Sequence, residues 1–260
     1  MRLKSVLLAL LTTYCLLLTA NVAEAQFGKN SIRYNQLDQY YESYRFDIWH
    51  DLDSKDPAQM EYLRQVAETL ENARDWMGSQ KIFNHNIEKR IPILLYKTHT
   101  DMESSNLVGG FMPEGVGALV EWERKRMVIK LDFPGPLNRA IGVHELAHEF
   151  QQDILNLSLF DTLRDTNKLR PLWFSEGGAE FIAGLYEPHT RDDVRRLYQR
   201  IVSSDKHFVP GWEALNSGYV NPYSMGAMVF EFLEEKFGVG VTFQVAGFKQ
   251  KDVGLGDIVA

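Results

Sequence analysis

The stretch Arg139-Ala-Ile-Gly-Val-His144-Glu145-Leu-Ala-His148-Glu-Phe-Gln-Gln-Asp153 reads as one helix. Positions four apart on a helix share a face, so His144 and His148 can aim two imidazole nitrogens at one point. Glu145 sits one position on, within reach of a water held at that point. This is the H-E-x-x-H zinc pattern, in which the glutamate is a general base rather than a ligand. The rest of the chain is organised around this helix.

Zinc held by two histidines takes a third protein ligand, usually a carboxylate in hydrolases, and leaves the fourth position to water. Glu176 is the best placed. It lies near the start of a later helix, beside the Gly177-Gly178 pair that lets two backbones approach closely, and it follows Trp173 and Phe174. Glu180 is four residues on and shares its face. A metal-bound imidazole usually donates its other N–H to a carboxylate. Glu180 can accept that bond from His144 or His148, with Asp153 and Glu149 as rivals.

Working outward, residues 26 to 44 are polar and tyrosine-rich without a clear period and read as an extended arm. Tyr44-Arg-Phe-Asp-Ile-Trp-His50 alternates apolar and polar, as a strand does. Pro57 opens a helix with apolar positions Met60, Leu63, Val66, Leu70, Ala73 and Met77. Ile91-Pro-Ile-Leu-Leu-Tyr96 is a short buried strand, and Thr100-Asp-Met-Glu103 resembles a capping box. Gly109, Gly110, Gly115 and Gly117 mark a loop. Ala118-Leu-Val-Glu-Trp122 and Met127-Val-Ile-Lys-Leu131 form a hairpin around the solvated turn Glu123-Arg-Lys-Arg126.

The central helix follows, over about 137 to 155. Residues 156 to 170 are polar and read as a loop. A helix spans about 171 to 185, and another, capped by Thr190 with Asp193, runs to about 202. Phe208-Val-Pro-Gly-Trp212 reads as an apolar loop, and a last helix runs from Asn221 to Phe237, closed by Gly238. The stripe Met225, Met228, Phe232 reads as core. His50, His85, His99, His189 and His207 read as surface residues. Strand, helix, strand, hairpin, then helices predicts an α+β fold: a small N-terminal sheet lobe, a helical C-terminal lobe and the zinc helix at the cleft between them.

With 260 residues, 45% hydrophobic and 24% charged, the composition is that of an ordinary globular protein. A formal charge of −7 argues against a nucleic-acid partner. Arg2 and Lys4, the apolar run from Val6 to Leu18 and Ala23-Glu-Ala25 read as a signal peptide over residues 1–25, cleaved before Gln26. That run is shorter than a spanning helix needs, and no later stretch is long enough, so no membrane span is expected after cleavage. The single cysteine, Cys15, lies in this segment. Export without disulfides suits a periplasmic or secreted, cell-envelope-associated protein.

His144-Glu-Leu-Ala-His148 together with Trp173-Phe-Ser-Glu-Gly-Gly-Ala-Glu-Phe181 resembles the gluzincin zinc metallopeptidases. The closest pattern is the peptidase-MA-like family, with H-E-x-x-H and W-F-x-E-G-x-A-E-Y/F. The resemblance extends over roughly Phe27 to Gly238, including Phe27-Gly-Lys-Asn30 and Val116-Gly-Ala118, and implies a single metallopeptidase domain over residues 26–238. It implies one zinc ion per chain, Glu176 as third ligand and Glu180 as the carboxylate behind a histidine. It also implies that the strand before the zinc helix, within Gly115 to Trp122 and centred on Gly117, Ala118, Leu119 and Val120, pairs with an extended peptide or protein substrate. Pro222-Tyr223-Ser-Met-Gly226 matches the proline-tyrosine of aminopeptidase-N relatives, whose hydroxyl stabilises the oxyanion; Tyr219 is the runner-up.

The G-x-M-E-N signature of those aminopeptidases is absent, which favours an endopeptidase. Many bacterial members carry this domain ahead of a Tol-type β-propeller, whereas residues 239–260 are weakly patterned and unlike the family. The expected function is therefore an exported zinc metallopeptidase with Glu145 as general base. Two alternatives stand beside it: a non-catalytic envelope binding module with a structural zinc, and a zinc hydrolase of esters or non-peptide amides.

Overall fold

A computed structural model describes residues 37–105, 115–121, 124–133, 135–155, 172–204, 212–216 and 220–238. The expected signal peptide, Phe27 to Asn30, Gly109 and Gly110, Trp122 and Glu123, the expected loop over 156–170, His207, residues 208–211 of the expected apolar loop, Tyr219 and residues 239–260 lie outside the described residues.

The fold is α+β, with a five-stranded sheet followed by helices. The strands are β1 (Gln39–Glu42), β2 (Phe46–His50), β3 (Ile91–Tyr96), β4 (Ala118–Glu121) and β5 (Arg126–Lys130). Their order is β1-β2-β3-β5-β4, with β2, β3 and β5 parallel and the two flanking strands antiparallel. The helices are α1 (Pro57–Gly78), α2 (His99–Glu103), α3 (Gly135–Leu155), α4 (Leu172–Tyr186), α5 (Pro188–Ser204), α6 (Trp212–Asn216) and α7 (Pro222–Phe237).

Helix α1 starts where Asp56 accepts the N–H groups of Ala58 and Gln59, with Pro57 supplying a pre-set φ in the first turn. It buries Leu63, Val66, Ala67, Leu70, Ala73 and Met77. These join Phe46, Ile48, Ile93, Leu95, Met127 and Ile129 of the sheet, and Val143, Leu146 and Phe150 of α3, in one core. Helix α7 starts at the Asn221 cap and stops at Gly238, whose N–H makes the last helical bond, to Glu234 O, and whose φ of 83° turns the chain out of the helix.

Helix α3 lies between sheet and helices, packed on α1, β4, β5 and α4. Every residue from 142 to 152 is buried, including His144, Glu145, His148, Glu149, Gln151 and Gln152. Placing so many polar groups in a core opposes stability unless each is bonded or serves chemistry.

Several expectations need correction. The arm contains strand β1: its Gln-Tyr-Tyr-Glu sequence lacks apolar–polar alternation, although its burial alternates. It is held by pairing to β2, by Tyr40 Oη donating to Asp47 at 2.5 Å and by the Tyr40–Trp49 ring contact. Helix α2 is capped by Thr98, not Thr100, since Thr98 Oγ1 accepts from Asp101 N–H at 3.2 Å. Helix α5 starts at Pro188, which puts Thr190 inside the first turn instead of at a cap.

Arg126 is no solvated turn residue. It opens β5 opposite Glu121, pairs with that carboxylate and is 2% exposed. His50 is buried too, because its parity in β2 matches that of Phe46 and Ile48. Of the α7 stripe only Met225 is core. Phe232 is exposed, since the buried face runs through Ala227 and Phe230.

Candidate metal centre

Helical spacing places His144 and His148 one turn apart on α3, with ring centroids 4.8 Å apart. Helix α4 packs across them and brings Glu176. His144 Nε2 and His148 Nε2 are 3.2 Å apart, and Glu176 Oε2 lies 3.3 Å from the first and 3.2 Å from the second. Among the described residues this is the one group of three ligand atoms suited to a metal ion.

The triangle fits zinc. Corners of a tetrahedron with bonds of ~2.0–2.1 Å lie roughly 3.3 Å apart. The donor set, two imidazoles and a carboxylate, is one that suits zinc.

The outer nitrogens are engaged. His144 Nδ1 lies 3.1 Å from Glu180 Oε2, so of the two histidines open to Glu180, the geometry pairs it with His144. Its rivals are elsewhere: Asp153 bonds His85 Nε2 at 2.8 Å, and Glu149 is buried with Oε1 unbonded among the described residues. Burial pushes the Glu149 carboxyl up to about 7. The outer partner of His148 went unread in the sequence. It is Gln151, whose Oε1 lies 2.8 Å from Nδ1. The available signal was its place three residues on, on the same helix face.

Burial disfavours a charge on His144, but the bonds to Glu176 and Glu180 outweigh it and raise its pKa to about 10. Burial likewise opposes ionisation of Glu176, yet the two histidines hold its pKa well below the usual carboxylate range. A proton held among these three atoms occupies the place a divalent cation would take, so metal uptake would displace it. Glu145 is 7% exposed, and burial raises its pKa against the opposing pull of His144 and His148.

Tyr223, in the first turn of α7, stacks on the His144 ring at 5.7 Å with 26° between planes. Tyr223 is 46% exposed as a whole, but partial desolvation, then the nearby charges of Glu176 and Glu145, push its phenol up to about 12, so it stays a donor. Its position follows from a helix crossing. A Cβ built on Gly177 would run into the Gly226 backbone, and one on Gly226 would run into Trp173 O and Gly177. The two helices therefore meet backbone to backbone beside Glu176, and Tyr223 is one turn before the crossing.

Strand β4 lies at the sheet edge against α3, where Gly117 leaves room for Ile141. Lys130 N–H donates to Gly117 O at 3.1 Å. Alternation of the antiparallel ladder then turns Gly117 and Leu119 towards β5, and the N–H and C=O groups of Ala118 and Val120 away from it. No strand among the described residues pairs with that outer edge.

No helix of the described residues is long and apolar enough to cross a membrane. No protein-family model matches the chain, and no curated protein sequence matches it.

Proposed function

We propose that the chain is an exported zinc-dependent metallopeptidase of the gluzincin type, hydrolysing peptide bonds in peptides or proteins. The observation that carries this reading is the triangle of His144, His148 and Glu176, its sides 3.2–3.3 Å, with the buried Glu145 adjacent in sequence to its first histidine. The leader-like residues 1–25 support export.

His144, His148 and Glu176 would hold the ion. When bound, zinc supplies a Lewis acid that polarises a carbonyl and lowers the pKa of water towards ~7. Glu145 takes one proton from the attacking water as its oxygen adds to the scissile carbonyl carbon. It returns that proton to the amide nitrogen as the C–N bond breaks. Tyr223 donates its phenolic hydrogen to the oxyanion that develops on the same carbonyl. An extended substrate pairs with the outward groups of Ala118 and Val120, as a peptide adds to an open sheet edge.

The test is a peptide-library digest by the purified chain beginning at Gln26, with and without a chelator. The expected result is cleavage at internal bonds, abolished by chelation and restored by zinc. Cleavage indifferent to chelation, or turnover of esters alone, contradicts the reading.

A further inference from the structure

We propose that Gln151 is the positioning residue for His148, fixing the ring tautomer that aims its Nε2 lone pair at the metal point. This rests on the metal-centre reading above. The two ends of an amide are chemically distinct, and here the surroundings decide which is which. Gln151 Nε2 lies 3.1 Å from Ser175 O, a carbonyl that can only accept. The amide oxygen must therefore face His148, and it lies 2.8 Å from Nδ1. An amide oxygen accepts and cannot donate, so Nδ1 carries the hydrogen and Nε2 keeps its lone pair for the triangle.

A neutral amide thus does for His148 what the Glu180 carboxylate does for His144. Its neutrality has a reason. Glu145, Glu176 and Glu180 already place three carboxylates around the two rings, and a fourth would add repulsion in a buried place. Burial of Gln151, 3% exposed, is tolerable because both ends of its amide are bonded. The second bond matters equally. Ser175 directly precedes Glu176, so one side chain orients a histidine on α3 and anchors the backbone beside the third ligand on α4. Gly178 makes the space, since a Cβ there would lie 3.2 Å from Gln151 Nε2.

The experiment compares the wild-type chain with Gln151→Met, which removes both bonds, and Gln151→Glu, which keeps an acceptor for His148. Zinc affinity is read by competition with a chromophoric chelator. The His148 tautomer is read by nitrogen-15 NMR on chain stripped of metal. Gln151→Met should bind zinc roughly 10–100-fold more weakly, the range found for lost partners behind a ligand. Gln151→Glu should lose less than Gln151→Met, because the kept bond from His148 Nδ1 outweighs the added repulsion and the lost donor to Ser175 O. His148 should carry hydrogen on Nδ1 in the wild type and lose that preference in Gln151→Met. Equal zinc affinity in Gln151→Met, equal losses in both variants, or a wild-type His148 with hydrogen on Nε2, would overturn the proposal. If Gln151→Met fails to fold, the wild-type tautomer and the Glu variant still decide. A wild-type chain with no zinc affinity would instead bring down the metal-centre reading, and the tautomer would then judge Gln151 alone.

Discussion

Gly177 of α4 and Gly226 of α7 meet backbone to backbone, with no room for a Cβ on either. The contact brings Glu176 and Tyr223, from helices α4 and α7, to the same histidine, His144. An alanine in an ordinary helix interior would stabilise by about 1 kcal/mol over glycine. Gly177→Ala should do the opposite. Overpacking here should destabilise by on the order of 1–3 kcal/mol and weaken zinc binding by shifting Glu176. Thermal melts with metal analysis check this, and a melting temperature equal to or above wild type would count against the crossing.

Removal of Glu176 and of Glu180 should differ in kind. Glu176→Ala deletes a corner of the triangle and should leave purified chain with little zinc. Glu180→Ala leaves the corners in place and should weaken affinity by roughly 10–100-fold, with full occupancy at saturating metal. Quantitative metal titration separates them. Equal occupancy in Glu176→Ala and wild type would remove Glu176 as a ligand.

Tyr223→Phe keeps the ring that stacks on His144 and deletes only the hydroxyl. If that hydroxyl serves the oxyanion, kcat should fall roughly 10²–10³-fold with zinc content unchanged. An unaltered kcat would make Tyr223 a packing residue.

A pH effect on stability should arise away from the candidate metal centre. Burial raises the pKa of Asp51 from its usual value to about 6, even though its Oδ1 accepts Lys97 N–H at 2.7 Å. A carboxyl raised on folding favours the folded state while protonated. Its contribution is complete below the unfolded pKa and is lost as pH rises through about 6. Asp51→Asn keeps the acceptor and removes the charge, so it should flatten the fall in melting temperature between pH 4 and 7. Parallel curves for the two proteins would refute the assignment.

Elements with local chemical punctuation could be read in the sequence. Pro57 and the Asn221–Gly238 pair bracket their helices, and the apolar run from Ile91 to Tyr96 marks a central strand. The two histidines could be read because helical spacing alone brings them together. What escaped depends on tertiary partners. Strand β1 alternates in burial, but Gln39-Tyr-Tyr-Glu42 carries no apolar–polar alternation to announce it, and pairing to β2 holds it. Arg126 looks like a turn residue until Glu121 stands opposite it. Gln151 looks like any polar helix residue until Ser175 O, on another helix, fixes which way its amide points.

The most direct measurement is the rate of peptide cleavage by Glu145→Gln at full zinc occupancy. The amide keeps the size of the side chain and cannot take a proton. The account predicts wild-type zinc content and a cleavage rate lower by roughly 10²–10⁴-fold, the usual contribution of a general base. Cleavage at the wild-type rate, with zinc bound, would contradict it.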